Sequence, residues 1–463
     1  MGRWLTAALF LTFACAPWAH AQDGSFDPTF ASGGRKLVDV SDGYQDGGNV
    51  RLRIQSDGKL LMTGTCWTNT SMDAYPTFCA TRLHANGDYD MQFGPGGGGY
   101  LRFDSFQSQS FPNPALFQNM TLLADGRIVF IGSSDPSTTL VAVLKADGSA
   151  LDSSVGAGAG FVTLAGFTPS ETQVQADGKL LIAGKANGPN GNPDMAIARL
   201  RADLSLDTGF GSGGRQRIAF DLGGPSGTND DQAANILLRG DGRIVLVGAA
   251  SVDANHIDVA IVQLLPSGQP DTSFGPNHDG RAHLPASGLD YADTARLDRL
   301  GRIVLGGVAY DDNTSFHWRC LVNRLLTDGS QDPTFNPSGG VGHPQLFNLA
   351  DDGNCVVADL TVQNDGGILL GGQTGRTPHS AGAFYFMAAK LTSNGLLDAG
   401  FGFNGTSSGR FSSIPNSDDR GTAIAIGNGG LMIAGYSTAL TGGDTRFGIG
   451  RIQLDRIFRD GFE

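Results

Sequence analysis

One short motif recurs seven times along the 463 residues: a turn followed by a small apolar strand that ends in glycine. The copy at 124–132 reads ADGRIVFIG, and the turn glycines are Gly58, Gly126, Gly178, Gly242, Gly301, Gly366 and Gly429. These glycines span 371 residues in six steps, a mean period near 62. Such a period predicts a solenoid or a propeller, in which each repeat is one supersecondary unit.

A second motif, Asp-x-x-Phe before a glycine-rich loop, has the same period. It occurs at Asp27/Phe30, Asp90/Phe93, Asp207/Phe210, Asp271/Phe274, Asp332/Phe335 and Asp398/Phe401, with a degenerate copy at Asp152/Val155. A third element, such as IARLRADL at 197–204, alternates like a strand and leads into a turn. We expect the Asp to tie its turn and the Phe to anchor the loop between repeats.

Each repeat therefore contains four short strands, predicted in the second full unit at about 118–123, 127–132, 139–145 and 160–165. One such sheet cannot bury both faces, but seven arranged radially can. The chain begins with the last strand of a repeat, near 35–40, and stops after a third strand, near Asp455. We therefore predict an all-β fold, a single closed β-propeller of seven four-stranded blades, with the N-terminal strand completing the last blade. An open superhelix is the alternative.

The repeats resemble a known family. LRADLSLDTGFGSGGR (200–215) and QADGKLLIAG (175–184) are similar to the delta-60 repeats of uncharacterised bacterial proteins, and the similarity extends over nearly all of residues 24–455. The resemblance implies an exported propeller, and it brings no activity and no catalytic residues. We assign the propeller to residues 22–455. The tail at 456–463 contains IFRDGFE, which resembles a terminal motif of some secreted gammaproteobacterial proteins.

The first residues indicate export. Arg3, an apolar stretch from Trp4 to Cys15 and the small residues of Ala19-His20-Ala21 predict a signal peptide at residues 1–21. No later segment approaches the ~20 apolar residues of a membrane span. Loss of Arg3 would take the formal charge from −13 to −14. Such an acidic chain disfavours nucleic acid and anionic lipid as partners. We expect a secreted or periplasmic monomer without membrane insertion.

Four cysteines follow the predicted cleavage site, and four cysteines allow three disulfide connectivities. In an exported chain they are candidates for two disulfides. We favour Cys66–Cys79, within one repeat, and Cys320–Cys355. Four buried free thiols are the alternative.

Acidic residues recur just before the first strand of most repeats. They are Asp46, Asp230, Asp231, Asp293, Asp351, Asp352, Asp418 and Asp419. In a propeller these positions would gather on one face around the channel mouth, and clustered carboxylates attract calcium. A calcium or cationic-ligand site on that rim is one hypothesis. The other, which we favour because no run matches a calcium loop, is that each Asp caps a turn.

No catalytic constellation is evident, and we assign no catalytic residue and no cofactor apart from the calcium hypothesis. The histidines after the signal peptide, from His84 to His379, are scattered and form no tight metal-ligand set. The loops specific to single repeats carry aromatic residues that could stack on sugars, or could pack within the loops. These residues are Trp67, Tyr75, Tyr291, Tyr310, Phe316, His317, Trp318 and Tyr385.

The sequence is thus most consistent with an exported, non-catalytic binding scaffold for a protein or a glycan. Two alternatives stay open. One is a propeller enzyme of lyase, lactonase or dehydrogenase type with its site at the channel mouth, and the other is a purely structural surface module. Fold analogy does not decide among them.

Overall fold

The computed structural model describes residues 23–40, 47–68, 75–103, 116–189, 191–222, 229–253, 256–284, 290–310, 318–337, 344–347, 354–375, 384–413, 417–438 and 445–454. Within them, seven four-stranded antiparallel sheets form a ring. The predicted seven-bladed β-propeller is confirmed. The predicted signal peptide at residues 1–21 and the tail at 456–463 lie outside the described residues. In the described part of the chain, no helix is long and apolar enough to cross a membrane.

Each blade runs from an inner strand at the central channel to an outer strand. Blade 1 comprises β2 (Arg51–Ile54), β3 (Leu60–Thr68), β4 (Tyr75–Leu83) and β5 (Tyr100–Arg102), and blade 2 comprises β6 (Leu116–Leu122), β7 (Ile128–Asp135), β8 (Thr138–Leu144) and β9 (Phe161–Ala165). Blade 3 comprises β10 (Thr168–Val174), β11 (Leu180–Asn187), β12 (Pro193–Leu200) and β13 (Arg215–Ile218). Blade 4 comprises β14 (Asp231–Leu238), β15 (Ile244–Ser251), β16 (Ile257–Leu264) and β17 (Arg281–Leu284).

Blades 5 and 6 comprise β18 (Asp290–Leu297), β19 (Ile303–Tyr310), β20 (Trp318–Leu325) and β21 (Gln345–Phe347); and β22 (Asn354–Val362), β23 (Ile368–Gly375), β24 (Phe384–Leu391) and β25 (Thr406–Gly409). Blade 7 comprises β26 (Asp418–Gly427), β27 (Gly430–Thr438), β28 (Thr445–Gln453) and β1 (Arg35–Val38). A 3-10 helix spans Gly156–Gly158. We call the end of the ring at which the inner strands begin the upper face, and the end with the Asp-Gly turns the lower face.

The two ends of the described chain meet in blade 7. Strand β1 pairs antiparallel with β28, from Arg35 opposite Gly450 to Val38 opposite Phe447. Blade 7 also bonds to blade 1, because Thr422 Oγ1 donates to Val50 O at 2.7 Å. The predicted three-plus-one closure is confirmed, and the open superhelix is wrong.

The glycine that ends the second-strand motif of each repeat allows a close approach. In blades 2 to 7 the nearest partner is the inner strand of the same blade, whereas Gly64 of blade 1 meets the Phe447 ring of blade 7. A Cβ atom on Gly184 would lie 1.9 Å from Thr168 O, and one on Gly248 would lie 2.0 Å from Gln232 O. The inner strand carries a β-bulge at this level in blades 2 to 7. The bulge changes which side chains face the channel.

The Asp-x-x-Phe motif fastens each blade to the next on the lower face, which confirms the structural interpretation. In blade 5, Asp332 Oδ1 accepts the N–H and the hydroxyl of Thr334, and Oδ2 accepts Arg324 Nε at 2.7 Å. The Arg324 guanidinium lies 4.8 Å from the centroid of the buried Phe335 ring and donates to Ser393 O of blade 6. Burial alone would raise the pKa of Asp332. These hydrogen bonds and the charge of Arg324 outweigh that effect, so the pKa lies below its usual range.

Both favoured disulfides are confirmed. Cys66–Cys79 joins β3 to β4 within blade 1. Cys320–Cys355 joins β20 of blade 5 to β22 of blade 6. The second bridge therefore links two blades.

Candidate functional site

The central channel holds a narrow, polar cavity lined by inner strands from all seven blades. Its volume is about 20 Å³, which leaves room for about one water-sized group. In blades 2 to 7 lining residues stand at or beside the bulge of the inner strand, whereas Arg51 and Arg53 come from β2, whose described pairing with β3 has no bulge. The lining residues are Arg51, Arg53, Asn119, Glu171, Asn235, Asp293, Thr294, Arg296, Ala358, Asp359 and Thr422.

One carboxylate of the channel is fully engaged by protein donors. Asp359 Oδ1 accepts Arg296 Nη2 at 2.7 Å and the Leu360 N–H at 2.9 Å. Its Oδ2 accepts the Ile424 N–H at 3.1 Å. This carboxylate therefore joins blades 5, 6 and 7 at the centre of the ring.

A second channel carboxylate is held in the same manner. Glu171 Oε2 accepts Asn119 Nδ2 at 2.7 Å, and Oε1 accepts the Thr172 N–H at 3.0 Å. Burial raises the pKa of Glu171, and the positive charges of Arg53 and Arg51 oppose that rise.

Two arginines of blade 1 differ from Arg296, because no carboxylate bonds to them. Among the described residues, no hydrogen bond or ion pair engages the Arg51 guanidinium, while Arg53 Nη1 donates one bond to Leu52 O at 2.9 Å. Burial lowers the pKa of Arg53, although Glu171 raises it. The channel therefore has guanidinium donors without acceptors.

Asp293 is the bulge residue of blade 5 and the one rim acid that the structure places in the channel wall among the described residues. Its side chain is exposed to the channel space, and protein surrounds that space. This partial removal from bulk water raises the pKa of Asp293 to about 6, and Arg51 acts in the opposite direction.

Three aromatic side chains from the sequence-predicted set meet at the upper end of blade 5. The Tyr310 ring lies 6.3 Å from the Tyr291 ring and 5.6 Å from the Trp318 ring, between centroids. All three side chains are half-buried. The buried Trp318 Nε1 has no hydrogen-bond acceptor among the described residues. We call Tyr291, Tyr310 and Trp318 the aromatic shelf.

The shelf adjoins the channel, because Tyr291 precedes Asp293 by two residues on β18. Burial raises the pKa of Tyr291 and of Tyr310, and the charge of Asp293 raises both further. The other predicted aromatics do not join the shelf. Tyr385 Oη accepts Arg410 Nη2 at 3.0 Å on blade 6, Trp67 lies in β3, and Phe316, His317 and the Tyr75 side chain lie outside the described set.

The remaining rim acids occupy different environments. Asp231 Oδ2 accepts the Phe220 N–H at 2.7 Å and Asp419 Oδ1 accepts the Phe411 N–H at 3.0 Å, and both acids are buried. Each bond joins an inner strand to the preceding blade, whereas we had expected caps within a turn. Asp418 accepts the Phe384 N–H, Asp230 is exposed, and Asp46, Asp351 and Asp352 lie outside the described residues.

No group of three or more His, Cys, Asp or Glu side chains that could hold a metal ion occurs among the residues that the structure describes. The calcium hypothesis stays a prediction.

A polar cluster between blades 4 and 5 was not expected from the sequence. His283 Nδ1 lies 2.7 Å from Asp258 Oδ2, and this hydrogen bond raises the pKa of His283 although burial opposes it. Burial also raises the pKa of Asp290 to about 6, and Asp258 adds to the rise. The spacing of His283 gave no signal for this cluster, because its partners lie on other strands.

The comparisons with known proteins agree with the fold. The family model described as a domain of unknown function (DUF5122) beta-propeller matches residues 175–210, 226–274 and 301–335. No curated protein sequence matches the chain.

Solved structures with a similar fold include three enzymes. The polysaccharide lyase Uly1 is 10% identical, with a TM-score of 0.45, and the match covers 95% of this chain and 94% of that one. A PL25 ulvan lyase is 11% identical, with a TM-score of 0.44 and coverages of 92% and 100%. The GH93 α-L-arabinofuranosidase of Fusarium graminearum is 13% identical, with a TM-score of 0.42 and coverages of 78% and 97%. In sequence, the chain is similar to a β-propeller family over three stretches.

Proposed function

We propose that this chain is an exported, non-catalytic binding protein that takes a glycan on the aromatic shelf beside the channel mouth. The observation that carries the proposal is the shelf itself. It presents three adjoining, half-buried rings. Aromatic faces suit the apolar faces of sugar rings.

Two further features support the export part of the proposal. The predicted signal peptide directs the chain out of the cytoplasm. The two disulfides are typical of an oxidising compartment and disfavoured in a reducing one. We also infer that the seven repeats are of the delta-60 type, because the three motifs recur together at one period.

Tryptophan emission offers a direct test. After the predicted cleavage, Trp67 and Trp318 are the tryptophans that the chain retains. A Trp67→Phe variant therefore reports on the shelf alone. We expect a saturable change in its emission when an oligosaccharide from a panel of neutral and acidic glycans binds.

Substitutions then locate the site. Tyr310→Ala in the reporter variant should weaken binding about two- to tenfold, the equivalent of about 0.5–1.5 kcal/mol of lost ring contact. Tyr385→Ala on blade 6 is the matched control and should leave affinity unchanged. Emission that responds to no glycan, or an equal loss in both variants, would contradict the proposal.

A further inference from the structure

The channel contains more hydrogen-bond donors than acceptors. Arg51, Arg53 and Arg296 supply three guanidinium groups with five N–H donors each. Arg296 is paired with Asp359. Each carboxylate oxygen of Asp359 and Glu171 already accepts at least one bond, from Arg296, a backbone N–H group or Asn119.

The excess lies on blade 1. Arg51 makes no hydrogen bond and no ion pair among the described residues, and Arg53 makes one, to a backbone carbonyl. Asp293 shares the cavity with them but is not within ion-pair distance of either, as far as the described residues show. These two cations therefore face a narrow space with their donors open.

Burying an unpaired charge is costly, and the cost falls when a counter-charge accepts its hydrogen bonds. Glu171, Asp359 and Asp293 supply negative charge nearby, but among the described residues none of them bonds to Arg51 or Arg53, so the open donors need an acceptor that enters the cavity. Guanidinium is weakly hydrated and binds planar or spherical anions well. A cavity of about 20 Å³ admits one small group.

We propose that Arg51 and Arg53 form an anion-binding site inside the channel, which takes one small monovalent anion: a halide, or the carboxylate group of a larger ligand. The site lies apart from the aromatic shelf and does not depend on it. A glycan with a carboxylate could occupy both, whereas a free anion would occupy the channel alone.

Chloride-35 NMR of the protein tests the site without relying on unfolding. We expect the chloride line to broaden in the presence of the wild-type protein and to narrow when formate is added. The double variant Arg51→Gln/Arg53→Gln should lose at least nine-tenths of the broadening.

Arg217→Gln is the matched control, because it removes one arginine that pairs with Asp194 on the upper face, outside the channel. It should broaden the chloride line as the wild type does. Far-ultraviolet circular dichroism identifies a double variant that fails to fold. In that case the variant Arg51→Lys/Arg53→Lys replaces it; it keeps both charges and should retain part of the broadening. Independently, anomalous scattering from a bromide-soaked crystal of the wild type should place one bromide beside Arg53.

The source of the anion is distinguished by competition. If glucuronate displaces chloride where glucose does not, the site receives the carboxylate of an acidic sugar; if formate alone does so, it holds a free anion. Tyr310→Ala should leave the chloride broadening unchanged. The anion site and the glycan site are therefore tested separately, and a negative result for one does not contradict the other. Equal broadening by the wild type and a folded double variant, or a bromide-free channel, would overturn the proposal.

Discussion

Asp231 should make the protein less stable as the pH rises, and replacing it with asparagine should remove that effect. The residue begins β14 and is 1% exposed. Its Oδ2 accepts the Phe220 N–H, but the buried Oδ1 has no donor among the described residues. Burial raises the pKa of Asp231 from 3.8 to about 7, and the negative charges of Asp194, Asp221 and Asp230 contribute.

The magnitude follows from linkage between protonation and folding. The folded state holds the Asp231 proton more tightly than the unfolded state does, so the free energy of unfolding falls as the pH rises from about 4 to about 7. The difference between a pKa of 3.8 in the unfolded state and about 7 in the folded state corresponds to a loss of unfolding free energy on the order of 4 kcal/mol. The loss ends about one pH unit above the folded pKa, near pH 8, and the contribution then stays constant.

Urea unfolding of the wild type and of Asp231→Asn at half-unit steps from pH 4.5 to 8 measures this contribution. Asparagine keeps an oxygen for the Phe220 N–H and carries no charge, so the variant should gain stability relative to the wild type as the pH rises. The gain should accumulate mostly below pH 7. Asp230→Asn is the control, because it removes an exposed carboxylate from the same turn and should give a difference that barely changes with pH.

Two results would refute this reasoning. A difference between Asp231→Asn and the wild type that is constant with pH would mean that Asp231 does not titrate in this range. A calcium-induced rise in wild-type stability at pH 8 that disappears in Asp231→Asn would mean that a cation, rather than a proton, neutralises the carboxylate. That second result would support the calcium rim.

Three further predictions concern the ring. Asp332→Asn leaves the buried Arg324 guanidinium without its carboxylate and should lower the free energy of unfolding by about 3–5 kcal/mol; an unchanged urea midpoint would contradict the role of the pair. Cys320→Ser should lower the free energy of unfolding by about 4 kcal/mol and Cys66→Ser by about 3 kcal/mol, because the Cys320–Cys355 bridge closes the longer loop. The opposite order of the two variants in thermal unfolding would contradict this. Deleting residues 23–40 should expose the β28 edge and cause association, seen as a larger species by light scattering.

The fold could be predicted because its information is periodic. Even the degenerate second repeat follows the plan. Val155 stands where the other repeats have Phe, and Val143 stands where Arg324 and its equivalents lie. Asp152 nevertheless keeps a cation, because Arg127 from the β6–β7 turn donates to it. This pair lies within blade 2, just as Arg302 and Asp332 pair within blade 5, so the degenerate repeat keeps one of the two cations that such an Asp has in blade 5.

The candidate site could not be predicted in the same way. A β-bulge shifts the inside–outside alternation of a strand by one residue, and the pattern of polar and apolar residues does not show where the shift falls. Asp231 and Asp293 both precede or begin an inner strand in the sequence, yet one is buried between blades and the other lines the channel. Their shared position in the sequence therefore suggested a common rim that the described residues do not form.

The seven repeats differ from one another in the residues of the inner strands that face the channel. On the lower face, blade after blade uses the same Asp and the same buried aromatic ring, because each interface has the same packing problem. At the equivalent position of the inner strand, which lies beside the bulge in blades 2 to 7, the seven blades instead carry Arg51, Asn119, Glu171, Asn235, Thr294, Asp359 and Ala423. A purely structural requirement repeated seven times would be met by one kind of residue, as on the lower face. The variety at this position, with opposite charges on different blades and with Arg51 unpaired among the described residues, is what a site for one asymmetric ligand requires.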